Sequence, residues 1–170
     1  MATVEVTQQK VQRILAAEFS SVLLDGDGFR IEFGSTNVRI GVKDFGKDKD
    51  GNPSSVVTVS GLVGRDITPT PEFYEWAATE GRQRYIGGVT VFKNADSGLC
   101  VAVYDHALLG DYLDPAELVS AVVLIRNSAD EFDEIVHDRF GGLRYTDPTP
   151  TPPAPPEAPP APPAPAAPAS

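Results

Sequence analysis

Cysteine occurs once, at Cys100, in the 170 residues. A lone thiol can neither close an internal disulfide nor build a thiolate zinc cluster, and a reducing, cytoplasmic setting is expected. Basic residues are also scarce: 14 Lys and Arg stand against 24 Asp and Glu, a formal net charge of −10. So acidic a chain repels phosphate backbones and anionic bilayers, which argues against nucleic acid and membrane surfaces as partners. Long apolar runs are missing. The longest aliphatic one, Ala121 to Ile125, falls far short of the ~20 residues of a membrane span. The N-terminus shows no basic stretch leading into an apolar one, so no secretory signal is expected. No repeat recurs at a period of about 20–50 residues.

Proline is distributed unevenly. Twelve of the 16 prolines fall between Pro148 and Pro168, mixed with alanine and carrying one charge, Glu157. That composition offers too little apolar surface to offset the entropy of ordering. The expected organisation is one folded domain over residues 1–147 and a disordered Pro/Ala-rich tail over residues 148–170.

The rest reads as alternating periods. Val4, Val11, Ile14, Leu15 and Phe19 share one side at helical spacing, opposite Gln8, Gln9, Gln12 and Arg13, which predicts a helix over about 4–19. After the short apolar run Val22-Leu23-Leu24, the stretch Asp25-Gly26-Asp27-Gly28 suits a tight turn. Phe29, Ile31 and Phe33 alternate with polar residues, as do Val38, Ile40 and Val42, and Val57, Val59 and Val63 then oppose Val56, Thr58 and Leu62. Each pattern fits a strand. Thr70-Pro71-Glu72 opens a second helix, with Gly81 placed to stop it. Strands follow over about 88–93 and 99–108, joined by a loop at Asn94 to Gly98. Asp114-Pro115-Ala116-Glu117 has a capping-box pattern. Leu118, Val122, Ile125, Ala129, Phe132, Val136 and Phe140 then recur every three or four residues up to Gly141-Gly142. The sum is an α+β domain: an antiparallel sheet with helices on one face, in the order α-β-β-β-α-β-β-α.

Catalytic patterns are absent. His106 and His137 lack a nucleophile motif, and there is no GxSxG, HExxH or GxxxxGK[ST]. Asp44-Phe45-Gly46 stands without the other kinase motifs. Asp48, Asp50 and Gly51 fail the EF-hand pattern at Gly46 and Val57, and Asp25 and Asp27 are turn residues first. The expectation is a chain without enzymatic activity, cofactor or metal. Asp130, Glu131, Asp133 and Glu134 cluster on one helix. They suit either a cationic partner or, more plainly, a solvated face opposite the apolar stripe, with Arg126 and Arg139 as local counter-charges. Phe73 and Trp76 fit the core better than a binding platform. The sheet is more suggestive, because several strands are apolar on both faces. Val56, Thr58, Leu62, Phe92 and Tyr104 are the expected peptide-binding residues, since one set packs on the helices and the other leaves an apolar patch or a dimer surface, and sheet faces and edges recruit extended peptides; the alternative is that both faces are covered within the monomer.

Two segments, TPTPEFYEWAATEG running into GGVTVFKNADSGLCVAVYDHALLG, and LLGDYLDPAEL followed by ADEFDEIVHDRFGG, carry a resemblance. In element order and in these strings, residues 4–142 resemble the YbjN-like bacterial proteins and the type III secretion chaperones. The resemblance implies a non-catalytic, chaperone-like domain that binds a protein or peptide segment, as a homodimer. A regulatory or structural interaction module is the alternative, and a hydrolase ranks behind both. In the tail, Pro152-Pro153-Ala154-Pro155 and similar runs have the PxxP spacing that aromatic-lined grooves bind; an inert spacer is the plainer account.

Overall fold

The computed structural model describes residues 3–148, so all but the first residue of the Pro/Ala tail lies outside the described residues. The elements run α1 (Thr3–Glu18), β1 (Val22–Asp25), β2 (Gly28–Phe33), β3 (Thr36–Lys47), β4 (Pro53–Ile67), α2 (Pro71–Ala78), β5 (Gly88–Lys93), β6 (Cys100–Leu109) and α3 (Pro115–Phe140). One antiparallel sheet has the order β1-β2-β3-β4-β6-β5. The α+β class holds, with four strands before α2 and not three. The extra strand is the Val22-Leu23-Leu24 run, which pairs with β2 across the Asp25–Gly28 turn. Four residues are too few to display a period, and pairing alone makes them a strand.

Helix ends follow local chemistry. Thr70 Oγ1 accepts the N–H of Phe73 at 3.2 Å, and Asp114 Oδ1 accepts that of Ala116 at 2.8 Å. Gly141 closes α3 in the left-handed conformation at φ 71°, donating to His137 O. Gly81 does not end α2. The helix stops at Ala78, and Gly81 lies buried in the short 3-10 turn Glu80–Arg82. Its lack of a side chain serves packing, because a Cβ there would come 2.9 Å from Val89 Cγ2.

All three helices cover the same face of the sheet and share one core. Val11 and Leu15 of α1, Phe73 and Trp76 of α2, and Leu118, Val122, Ile125, Ala129 and Val136 of α3 are buried against Ile40, Val57, Val59 and Val63. Each of the Val, Leu, Ile and Phe side chains among them stabilises the fold by about 1.5–3 kcal/mol through its removal from water. The seven-residue stripe read along α3 is thus its core face, with Phe140 at the margin. Trp76 belongs to an aromatic cluster with Phe73, Phe132 and Phe140. Gly61 lets α3 lie close on β4, since a Cβ there would come 2.7 Å from the Cβ of Ala129.

Candidate functional site

Among the described residues no helix covers the other face of the sheet, and the strand registers define what it displays. Across β4 and β6, Val56 faces Leu109, Thr58 faces Ala107, Ser60 faces Asp105 and Leu62 faces Val103. Across β5 and β6, Thr90 pairs with Val103 and Phe92 with Val101. One end of this surface is apolar: Leu62, Val101 and Val103 are half-buried and Phe92 is 57 % exposed. The other end carries Val56 and Leu109, which is 51 % exposed. Between them lies a polar belt, in which the Thr90 hydroxyl donates to Asp105 Oδ1 at 2.6 Å. The β2–β3 side is charged, with Arg39 paired to Asp25 at 2.6 Å and Arg30 to Glu32 at 3.4 Å.

The segment after α3 completes one wall. Leu143 and Arg65 exchange two backbone hydrogen bonds, of 2.8 and 2.9 Å. Arg65 Nη2 donates to Asp147 O, and Arg144 N–H donates to Asp147 Oδ2 at 2.7 Å. Between them, Arg30 Nη1 donates to the Tyr145 hydroxyl at 3.3 Å. Tyr145, Arg30, Arg39, Leu62, Val101 and Val103 line a groove of about 320 Å³ on the open face. A second hollow, of about 350 Å³, lies on the helix side at Tyr85, Ile86 and Leu124, beside the Arg84–Glu131 ion pair.

Of the expected binding residues, Val56, Thr58, Leu62 and Phe92 lie on the open face. Tyr104 does not: it is fully buried on the helix side, its ring 5.5 Å from that of Phe132 and its hydroxyl donating to Ile86 O. Burial is the main cause that raises its pKa. The physical reason for the misplacement is register. The hairpin pairs Val89 with Tyr104 and Phe92 with Val101, so Phe92 shares its face with Val101 and Val103. Val101, Val103 and Leu109 replace Tyr104 on the candidate surface. Tyr145 comes from a segment with no periodic signal.

The acidic cluster is not a uniformly solvated face. Asp130 Oδ1 accepts from the Ser35 and Thr36 hydroxyls, each at 2.9 Å, and Glu131 pairs with Arg84. Asp133 is 5 % exposed. Burial pushes its pKa up to about 6; the nearby Arg144 works against this, and Asp130 and Glu134 add to it. Arg126 and Arg139 serve elsewhere. Arg126 stacks 4.9 Å over Phe33, and Arg139 pairs with Glu80 at 3.1 Å.

Among the described residues, His106, Asp105 and Asp111 do not come together, and His137 Nδ1 lies 3.9 Å from Asp147 Oδ2. His106 sits across from Val59 on the helix side, whereas Asp105 points to the open face, and Asp111 accepts from the Ser54 hydroxyl at 2.7 Å. His137 Nδ1 lies 2.9 Å from Gly142 O at the end of α3. Asp48 organises its turn by accepting the N–H groups of Asp50 and Asn52, and the Asn52 N–H is the leading cause of its lowered pKa. Among the described residues, no three His, Cys, Asp or Glu side chains converge in a way that could hold a metal ion, and no helix is long and apolar enough to cross a membrane.

No family model and no curated protein matches the chain. Among solved structures, it is similar to the crystal structure of YbjN, "a putative transcription regulator from E. coli". The TM-score is 0.57 at 7 % identity, and the match covers 76 % of this chain and 90 % of that one. The likeness supports the YbjN part of the resemblance and does not extend to the secretion chaperones. What the chain shares with YbjN is its fold.

Proposed function

We propose that this domain acts without catalysis, by holding an extended segment of another protein across its open sheet face. The observation that carries this reading is a six-stranded sheet with three helices on one side and, on the other, the groove at Leu62, Val101, Val103 and Tyr145. A contiguous apolar surface of this kind, rimmed by polar groups, suits a binding role. The face is the better site than the edges. The edge strands β1 and β5 have 4 and 6 residues, against 15 and 10 in the central β4 and β6, and short edges give little backbone to pair with.

The occupant we favour is an extended segment whose sheet-facing set of alternate side chains is mostly apolar and includes basic residues. Its apolar residues would meet Leu62, Val103 and Phe92. Its basic residues would meet the central Asp105, which is held by a hydroxyl, whereas Asp25 and Glu32 already face arginines. The net charge of −10 also steers a basic segment inward. A module that regulates a partner simply by docking on it uses the same surface, and the description of YbjN as a regulator is in keeping with that alternative.

The test is fluorescence anisotropy with a labelled peptide of about eight residues, with valine and lysine sharing the alternate positions of one face and serine between them, long enough to run along the open stretch of β4. Binding should be saturable, and Leu62→Lys or Val103→Lys should abolish it, while Tyr85→Lys on the helix side should leave it unchanged. Equal binding by all three variants would refute the assignment. A concentration-dependent dimer, seen by light scattering and lost in the same two variants, would instead make a second copy the occupant.

A further inference from the structure

We propose that the chain carries its own occupant for this surface: residues 149–170 lie along the open sheet face and compete there with the partner segment. This rests on the binding face assigned above and adds its regulation.

The first argument is where the described chain ends. The segment after α3 is tied to β4 by the paired Arg65 and Leu143 backbones and held to Arg30 of the open face through the Tyr145 hydroxyl. Tyr145 walls the groove together with Leu62, Val101 and Val103. Pro148 follows three residues later. The Pro/Ala segment therefore starts close to the Tyr145 wall, next to Asp147, whose carbonyl accepts from Arg65 and whose carboxylate lies 3.9 Å from His137 Nδ1 at the end of α3.

The second argument is chemical. Prolines recur through this segment, and its one charge is Glu157. Proline-rich chains favour the polyproline II form, lose little entropy on docking and bind grooves lined by aromatic rings. The open face offers Tyr145 at one side, Phe92 at the other, and Val101, Val103 and Leu62 between. A nearly uncharged segment also meets no repulsion from an acidic surface.

The third argument is reach. From Leu62 to Val56 the open stretch of β4 is roughly 20 Å long, and a segment of this length in polyproline II form extends roughly 70 Å. Tethering close to the Tyr145 wall supplies an effective concentration on the order of millimolar, so an intrinsic dissociation constant of about 1 mM already leaves the face about half occupied.

The experiment compares the full chain with one in which residues 149–170 are replaced by a Gly/Ser sequence of equal length. Methyl resonances of Leu62, Val101 and Val103 should shift between the two, those of Val57 and Val59 on the helix side should not, and the difference should not depend on protein concentration. Val103→Lys in the native chain should erase it, with an unchanged melting curve as the check on folding. The Gly/Ser chain should bind the valine–lysine peptide about two- to fivefold more tightly, because the face is freed. Coincident spectra would overturn the proposal. So would shifts that grow with concentration, which place the tail on a second copy, or equal peptide affinities in the presence of the shifts, which remove the competition. Binding of the peptide by neither chain would refute the partner reading, while the methyl comparison still decides where the tail lies.

Discussion

Replacing Asp133 by asparagine should stabilise the protein at neutral pH. The carboxyl is 5 % exposed on α3, and burial raises its pKa from 3.8 to about 6. The folded state thus holds the proton more tightly than the unfolded one. The stability this contributes is complete below about pH 4, declines as pH rises toward 6, and is gone above the folded pKa. The shift corresponds to on the order of 2 kcal/mol once some access of water is allowed for. The attraction of Arg144 is already contained in the net upward shift. The amide keeps the shape of the carboxyl without its charge, and its oxygen can still accept from Arg144, whose Nε is buried without a partner among the described residues. Asp133→Asn should therefore raise Tm by roughly 4–8 °C at about pH 7.5 and change it little at about pH 4. Thermal unfolding followed by circular dichroism at both pH values is the assay. A variant that is less stable at pH 7.5, or shifted equally at both, would show that the attraction to Arg144 outweighs burial and that the reasoning is wrong.

Two further predictions concern the core. Gly61→Val should cost about 1–3 kcal/mol in denaturant titration, because the new side chain meets Ala129, whose Cβ would lie 2.7 Å from a Cβ at position 61. Ala129→Gly should recover part of that loss, and no recovery would mean that backbone strain and not α3 contact is responsible. Leu118→Ala, at a fully buried position, should cost about 2–5 kcal/mol, and a loss under 1 kcal/mol would show that α3 does not pack as described.

What could be read from the residues was what depends on neighbours along the chain. The α3 stripe from Leu118 to Phe140, the caps Thr70 and Asp114, and the left-handed Gly141 are all local and periodic features. What stayed hidden depends on partners distant in sequence. β1 exists because β2 pairs with it. Gly81 is needed for Val89 and not to end a helix. Tyr104 and Phe92 part company through a hairpin register that alternation within each strand does not specify. Asp133 looks like one carboxylate among four, yet it alone is buried, and the arginines near this cluster, Arg84 and Arg144, lie in other elements. On the candidate face, Val56, Thr58, Leu62 and Phe92 could be named from strand patterning, whereas Tyr145 is held there by contacts distant in sequence, of Leu143 with Arg65 and of its own hydroxyl with Arg30.

The sheet order places β6 beside β4, with β5 outside it. Strands β1 to β4 join as successive hairpins, and β5 and β6 form another, so a single seam between β4 and β6 unites two halves of the sheet. Opening the chain at the exposed stretch Gln83–Tyr85 would leave α1, β1–β4 and α2 in one piece and β5, β6 and α3 in the other. Each piece would bare half of the common core, and rejoining would bury it at once, with Gly61 again beneath Ala129. The pair would then serve as a fragment-complementation reporter whose signal is the closing of that seam.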